Sequence, residues 1–243
     1  MKIYYENIKD ATLSYSGTED VNFPVENLND VSLHSLFKDT GFTGSTYITI
    51  DFGSARTCNY FIMGNCIFEG VGIDLYGSND NLGWNLMFSG LVSGSNFLRE
   101  FDIETYRFWK VAIVNEPGTN TLQIGNIFLG EMLETSFSPE INKTKQSYFG
   151  TQVNEGINGY RFGTSYFNEA REVFNYNWNK IDLTELGKWE AFRDTVKMGS
   201  GLSADPFYFY DSELKFVRSN GGINTTESAF RAWDLSTTFE TEI

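Results

Sequence analysis

Tyr47-Ile-Thr-Ile-Asp-Phe-Gly-Ser-Ala-Arg-Thr-Cys-Asn-Tyr-Phe-Ile-Met63 is the stretch whose reading decides the fold. Ile48, Ile50 and Phe52 alternate with Thr49 and Asp51, the period of a strand that buries one face. Gly53-Ser54 then interrupts the alternation, and Asn59 to Met63 open a second apolar run, so the spacing predicts a hairpin-like pair. The same texture continues outward: Val71-Gly-Ile-Asp-Leu-Tyr-Gly-Ser-Asn-Asp80, Tyr106-Arg-Phe-Trp-Lys-Val-Ala-Ile-Val114 and Ile124-Gly-Asn-Ile-Phe-Leu-Gly-Glu131 are short β-type runs closed by turn residues.

The totals agree with a folded, strand-rich chain. Aromatic residues make up 16% of the 243, against only 4 Pro, and that length can bury a core without disulfide staples. Two domains are expected. Lys and Arg total 18 against 32 Asp and Glu, a formal charge of −14. Such a field repels phosphate backbones and anionic lipid, so neither nucleic-acid binding nor membrane insertion is expected. The first ten residues hold no continuous apolar core and no long apolar run follows, which predicts a soluble product made in a cytoplasm. Cys58 and Cys66 are then expected as buried thiols.

Residues 1–46 carry only short apolar pieces: an entry strand, then a long loop from Pro24 to Ser45 with one helical turn around Val31 to Phe37. From Thr46 to Glu131 the predicted strands are 46–52, 58–64, 71–77, 84–92, 97–103, 106–115 and 123–130, an antiparallel sandwich with Trp84 and Trp109 in its core. The segments Thr46-Tyr-Ile-Thr-Ile-Asp-Phe-Gly-Ser-Ala, Ile73-Asp-Leu-Tyr-Gly-Ser-Asn-Asp with Trp84 following, Tyr106-Arg-Phe-Trp-Lys-Val-Ala-Ile and Ile124-Gly-Asn-Ile-Phe-Leu-Gly-Glu resemble, in that order, the discoidin or coagulation-factor type C domain. That resemblance implies a galactose-binding-like jelly roll. Its closing segment is similar to the version in bacteriophage structural proteins, and the chain lacks the cysteine pair that ties the ends of the secreted form.

Residues 132–150 read as a polar connector containing Pro139. In 151–243, Ile157 to Phe162 and Glu172 to Trp178 are predicted strands, the latter with Phe174, Tyr176 and Trp178 on one face. A helix near 182–198 follows from a capping box of Asp182 and Glu185 and from Leu183, Leu186, Trp189, Phe192 and Val196 at helical spacing, with Gly199 as terminator. Gly187 weakens it by about 1 kcal/mol relative to Ala. Pro206 to Asp211, Leu214 to Arg218 and a long alternation from Ala229 to Ile243, with Trp233, Leu235, Phe239 and Ile243 on one face, complete the unit. The expected class is mainly β: a jelly-roll β-sandwich over 1–131, then a β-sandwich-like domain carrying one α-helix. This second order of elements resembles the C-terminal part of phage minor tail proteins.

No catalytic constellation emerges, so an enzyme is not expected. His34 has no companion carboxylate or nucleophile at triad spacing, and a loop His is the plainer reading. Glu100, Asp102 and Glu104 alternate as a solvated strand face would. Loop aromatics Phe37, Phe42 and Phe68 can stack on a sugar ring, seat in a neighbouring subunit, or fold back on their own core. No cofactor is predicted beyond one calcium ion, which the resembled family often holds; Asp20, Asn29 and Asp30 are the oxygen donors near its expected rim. Together the resemblances imply a structural component of a phage tail, assembled in the host cytoplasm. Its partners would be other tail proteins, copies of itself in a ring or hub, and a host surface glycan. The alternative is a carbohydrate-binding module of an adhesin or glycan-active enzyme.

Overall fold

The computed structural model describes residues 1–32, 35–42, 44–67, 71–114, 121–136, 144–148, 151–155, 161–165, 171–197, 205–210, 213–219, 221–229 and 231–241, with the backbone alone for 144–171. The chain divides into two compact units, Tyr4–Met132 and Met1–Ile3 with Leu133–Ile243. Its fold is mainly β, built largely from antiparallel strand pairs. The opening strand β1 (Lys2–Tyr4) joins the sheet of the second unit and is described there.

In the first unit, β2 (Thr12–Tyr15), β3 (Phe37–Asp39), β4 (Ser45–Gly64), β5 (Gly72–Ser78), β6 (Asn85–Leu91), β7 (Phe97–Val114), β8 (Leu122–Ile124) and β9 (Asn126–Gly130) follow one another. The larger sheet runs β2-β4-β7-β5-β6 with β9 on the flank of β4, and β3 pairs with β8. The expected hairpin at Gly53 is not formed. The two runs are one strand, β4, and both halves pair with β7, in which the predicted 97–103 and 106–115 are likewise fused. Gly53 (φ +73°) sits within the register shift between Asp51 and Arg56, so it serves a bulge and not a reversal. A helical turn lies at Val25–Asn29, directly after Pro24, and the described residues of the expected turn, 31–32 and 35–37, are not helical.

Alternation then sorts the side chains. Ile48, Ile50, Ile73, Leu75, Trp109, Val111 and Ile113 point into one buried cluster, with Phe61 and Phe97 beside them. Cys58 and Cys66 are free, buried thiols, and burial pushes Cys66 up to about 12. Trp84 departs from expectation: it lies half-buried on the outside of the sheet.

In the second unit, β10 (Leu133–Glu134), β11 (Thr144–Tyr148), β12 (Thr151–Glu155), β13 (Arg161–Ser165), β14 (Arg171–Ile181), α1 (Leu183–Thr195), β15 (Phe207–Tyr210), β16 (Leu214–Ser219), β17 (Asn224–Ala229) and β18 (Ala232–Thr241) are built around a sheet ordered β10-β1-β15-β16-β18-β14-β11, with β17 also paired to β18. Phe174, Tyr176 and Trp178 are buried as their spacing predicted, together with Leu235 and Phe239. Trp178 meets Trp189 of α1 at 4.7 Å between ring centroids, and Phe192 meets Phe207 edge-on at 5.0 Å. The helix begins as expected: Asp182 accepts from the Glu185 backbone N–H at 2.8 Å. The reciprocal half of the capping box is absent, because the buried Glu185 carboxylate instead accepts from Ser136 N at 3.3 Å and Ser136 Oγ at 3.0 Å. Leu183 faces solvent, whereas Gly199, Ile243 and residues 157–160 lie outside the described residues.

Trp189 is fully buried and Leu183 is 65% exposed, although the sequence places both at helical spacing. Trp189→Ala should therefore cost about 3–5 kcal/mol in urea unfolding, and Leu183→Ala under about 0.5 kcal/mol. Equal losses would show that the helix docks by another face.

Candidate functional site

Phe37 and Phe42 are both 0% exposed and belong to the core of the first unit, Phe37 with its ring edge-on to Tyr15 at 4.9 Å. The expectation that they stack on a sugar or seat in a neighbour is corrected: a ring enclosed on both faces has none to offer. Phe68 and His34 lie outside the described residues. The oxygen donors have local partners. Asp20 Oδ1 accepts from Asn22 N, Asp30 accepts from Ser32 N and Ser35 Oγ, and Asn29 Nδ2 donates to Ala11 O. Asn29 Oδ1 is a buried acceptor with no partner among the described residues. Among the described residues no three His, Cys, Asp or Glu side chains gather around it or elsewhere. A calcium ion needs about 6–8 oxygens, several of them charged. The described side chains do not fit it.

The first unit concentrates exposed rings elsewhere, on the outer face of its larger sheet. Cross-strand registry sets Tyr47 opposite Ala112 and Ala112 opposite Asp74, then Thr49 opposite Lys110 and Lys110 opposite Tyr76, then Asp51 opposite Phe108 and Phe108 opposite Ser78. Paired residues share a face, so these form three rows across β4, β7 and β5. Lys110 is at the centre. Its Nζ lies 4.3 Å from the ring centroid of Trp84, 4.9 Å from Tyr76 and 5.8 Å from Tyr47. Tyr47 is 47% exposed, and Trp84, Tyr76 and Phe108 are half-buried.

The surroundings hold this face rigid. Arg107 donates from Nε to Asp51 Oδ1 at 2.8 Å and from Nη2 to Oδ2 at 2.9 Å, and its guanidinium lies over the Phe108 ring at 4.6 Å. Those hydrogen bonds hold the Asp51 carboxyl below its usual range. The turn that carries Trp84 is fixed by Asp80 Oδ1, which accepts from Leu82 N, Gly83 N and Ser78 Oγ. Asn79 Oδ1 accepts from Arg107 N at 3.2 Å, tying the same turn to β7. Gly77 is required where it stands, since a Cβ there would lie 2.2 Å from the Tyr106 ring.

Chemically, the face offers flat apolar rings, one ammonium, the Tyr76 hydroxyl and the Asp74 and Thr49 oxygens. The sequence carried a signal for it. In Tyr106-Arg-Phe-Trp-Lys-Val-Ala-Ile the alternation that buries Trp109, Val111 and Ile113 turns Phe108 and Lys110 outward.

No protein-family description matches the chain. No curated protein matches it either. Solved structures do. A chitosan-binding module of a chitosanase/glucanase from Paenibacillus sp. IK-5 is similar at 18% identity, with 51% of this chain and 98% of that one covered and a TM-score of 0.46. A CBM32 module of AlyQ in complex with 4,5-unsaturated mannuronic acid is similar at 24% identity, over 53% and 97% of the two chains, with a TM-score of 0.42. A CBM32 module from Clostridium perfringens in complex with GalNAc-β-1,3-galactose is similar at 13% identity, over 53% and 99%, with a TM-score of 0.45. These three neighbours are carbohydrate-binding modules.

Lys110 also sets a pH dependence. Desolvation lowers its pKa from the ordinary 10.5, so between the folded value and 10.5 the unfolded chain binds the extra proton. Stability contributed at this position therefore rises as pH climbs through that window. Urea titrations of the wild type and Lys110→Met from pH 8 to 10.5 should show the wild type gaining on the variant. A difference that is flat or falls with pH would mean that the ammonium is not desolvated.

Proposed function

We propose that the first unit is a saccharide-binding module and that its binding surface is the outer sheet face around Lys110. The observation that carries this reading is the gathering of Tyr47, Tyr76 and Trp84 about one ammonium on a flat, pre-formed surface. A pyranose has an apolar face of C–H groups and an equator of hydroxyls. Rings supply a partner for the first, and Lys110, Asp74, Thr49 and the Tyr76 hydroxyl supply hydrogen bonds for the second. The ammonium at 4.3 Å from the Trp84 ring and 4.9 Å from Tyr76 already restrains these side chains, so less rotamer freedom remains to be lost on binding. The order of elements in the second unit supports placing such a module on a virion, held by tail proteins or by copies of the chain, with the sugar on the host surface.

A glycan array probed with the intact chain tests the reading. At least one saccharide should bind, and Trp84→Ala or Tyr47→Ala should weaken it at least tenfold, about 1.4 kcal/mol, with the melting temperature little changed. Phe37→Ala should lower stability and leave the affinity of the folded protein intact. A flat array with folded protein, or binding indifferent to both Trp84 and Tyr47, overturns the proposal.

A further inference from the structure

In the second unit, β14 alternates Phe174, Tyr176 and Trp178 with Asn175, Asn177 and Asn179. The aromatic set fills the core. The amides take the opposite face of the sheet. Asn is among the residues least suited to a strand, since its amide competes with the backbone for local hydrogen bonds. A strand that gives three successive outer positions to it runs against its own propensity, and such departures gather at functional positions.

Registry extends the row. Asn177 pairs with Ser236 of β18, and Ser236 pairs with Asn224 of β17. Asp234 pairs with Thr226 in the adjacent row. These residues, with Asn179 and the edge of Leu235, line an open depression of about 250 Å³. Its rim is shaped by the register shift between Trp178 and Ile181, where Lys180 adopts φ +58°. A non-glycine residue in that conformation persists only where its surroundings impose it. Asp234 Oδ1 is held in place, accepting from Lys180 N at 3.0 Å and Ser228 Oγ at 3.0 Å. The side chains of Asn177, Asn224, Thr226 and Ser236 make no hydrogen bond to described residues.

The chemistry of the lining selects among ligands. Amides and hydroxyls both donate and accept, as do the vicinal hydroxyls of a sugar, and one fixed carboxylate can accept from two such hydroxyls. No Lys or Arg side chain lines the depression, so an anion has no counter-charge there. A lone carboxylate is too few for calcium. No ring lines it either, so binding rests on hydrogen bonds in competition with water and falls on the order of millimolar. We infer that this depression is a binding site for a neutral saccharide, carried on the second unit and independent of the Lys110 face.

The test is an NMR titration of the ¹⁵N-labelled full chain with the methyl glycosides of β-galactose, β-glucose and α-mannose, each to roughly tens of millimolar, with sodium sulfate and calcium chloride as comparison ligands. At least one glycoside should shift the side-chain amide signals of Asn177 and Asn224 saturably. Asn177→Ala, and separately Asn224→Ala, should weaken that binding about tenfold. Trp84→Ala should leave it unchanged, which separates this site from the proposed surface of the first unit. The inference is overturned if no glycoside gives saturable shifts, if only sulfate or calcium does, or if the shifts survive both Asn variants at full affinity.

Discussion

Residues 45–51 of β4 pair with 108–114 of β7, and residues 56–63 continue along 97–106 of the same strand. This one ladder gives the first unit its inside and its outside. With the register fixed, a shift of one residue would exchange Ile48, Ile50 and Trp109 for Tyr47, Thr49 and Lys110. The inner set forms a closed apolar cluster, which makes such a slip costly. The outer set is consequently held at fixed spacing by the ladder, and the contacts of Lys110 with Tyr47, Tyr76 and Trp84 act within that spacing. A rigid binding face can thus be a by-product of a well-specified core, provided the outward residues are of a kind that a ligand can use.

Much of this was legible in local text, and the failures share a cause. Alternation identified Ile48, Ile50 and Trp109 as core, and the helical spacing of Leu186, Trp189 and Phe192 identified the buried side of α1. Gly53-Ser54 was misread as a reversal because glycine at positive φ serves a turn and a bulge equally well. The choice is made by β7, which starts more than thirty residues later and offers partners to both halves of β4. The use of Phe37 and Phe42 stayed open among three readings for a similar reason. An aromatic residue in irregular text carries no period, and its burial depends on partners such as Tyr15 that only the fold brings near. Trp84, a single residue before its strand, had no period either.

The second unit shows the same rule from the other side. β17 escaped notice because Asn224-Thr-Thr-Glu-Ser-Ala229 contains no large apolar residue, and in the structure every one of its residues is exposed. A strand with no buried face is formed by its ladder to β18, so hydrophobic periodicity cannot report it. The capping box at α1 was half legible. Asp182 caps locally and followed from spacing, whereas Glu185 turned to Ser136, 49 residues away in sequence.

Lys110 and the Asn row of β14 raise a common question of stability. A desolvated ammonium surrounded by rings is held at a cost that a Met or Leu of similar shape would avoid. Asn at strand positions likewise forgoes what Thr or Val would add to the sheet. Packing gives no reason for either choice, since both groups stand on the outer faces of sheets whose cores are already closed by Trp109 on one unit and by Trp178 and Phe239 on the other. In a chain with a formal charge of −14, general solubility does not call for the lone ammonium or for uncharged amides either. On the readings proposed above, recognition supplies a reason for both: the Lys110 ammonium and the Asn177 amide would each offer a hydrogen-bonding partner to a polyhydroxyl ligand. The two faces solve this differently. As proposed sites, the Lys110 surface adds aromatic area and could use apolar burial, while the Asn-lined depression would rely on directed hydrogen bonds alone, which would favour selectivity among sugar stereochemistries over affinity.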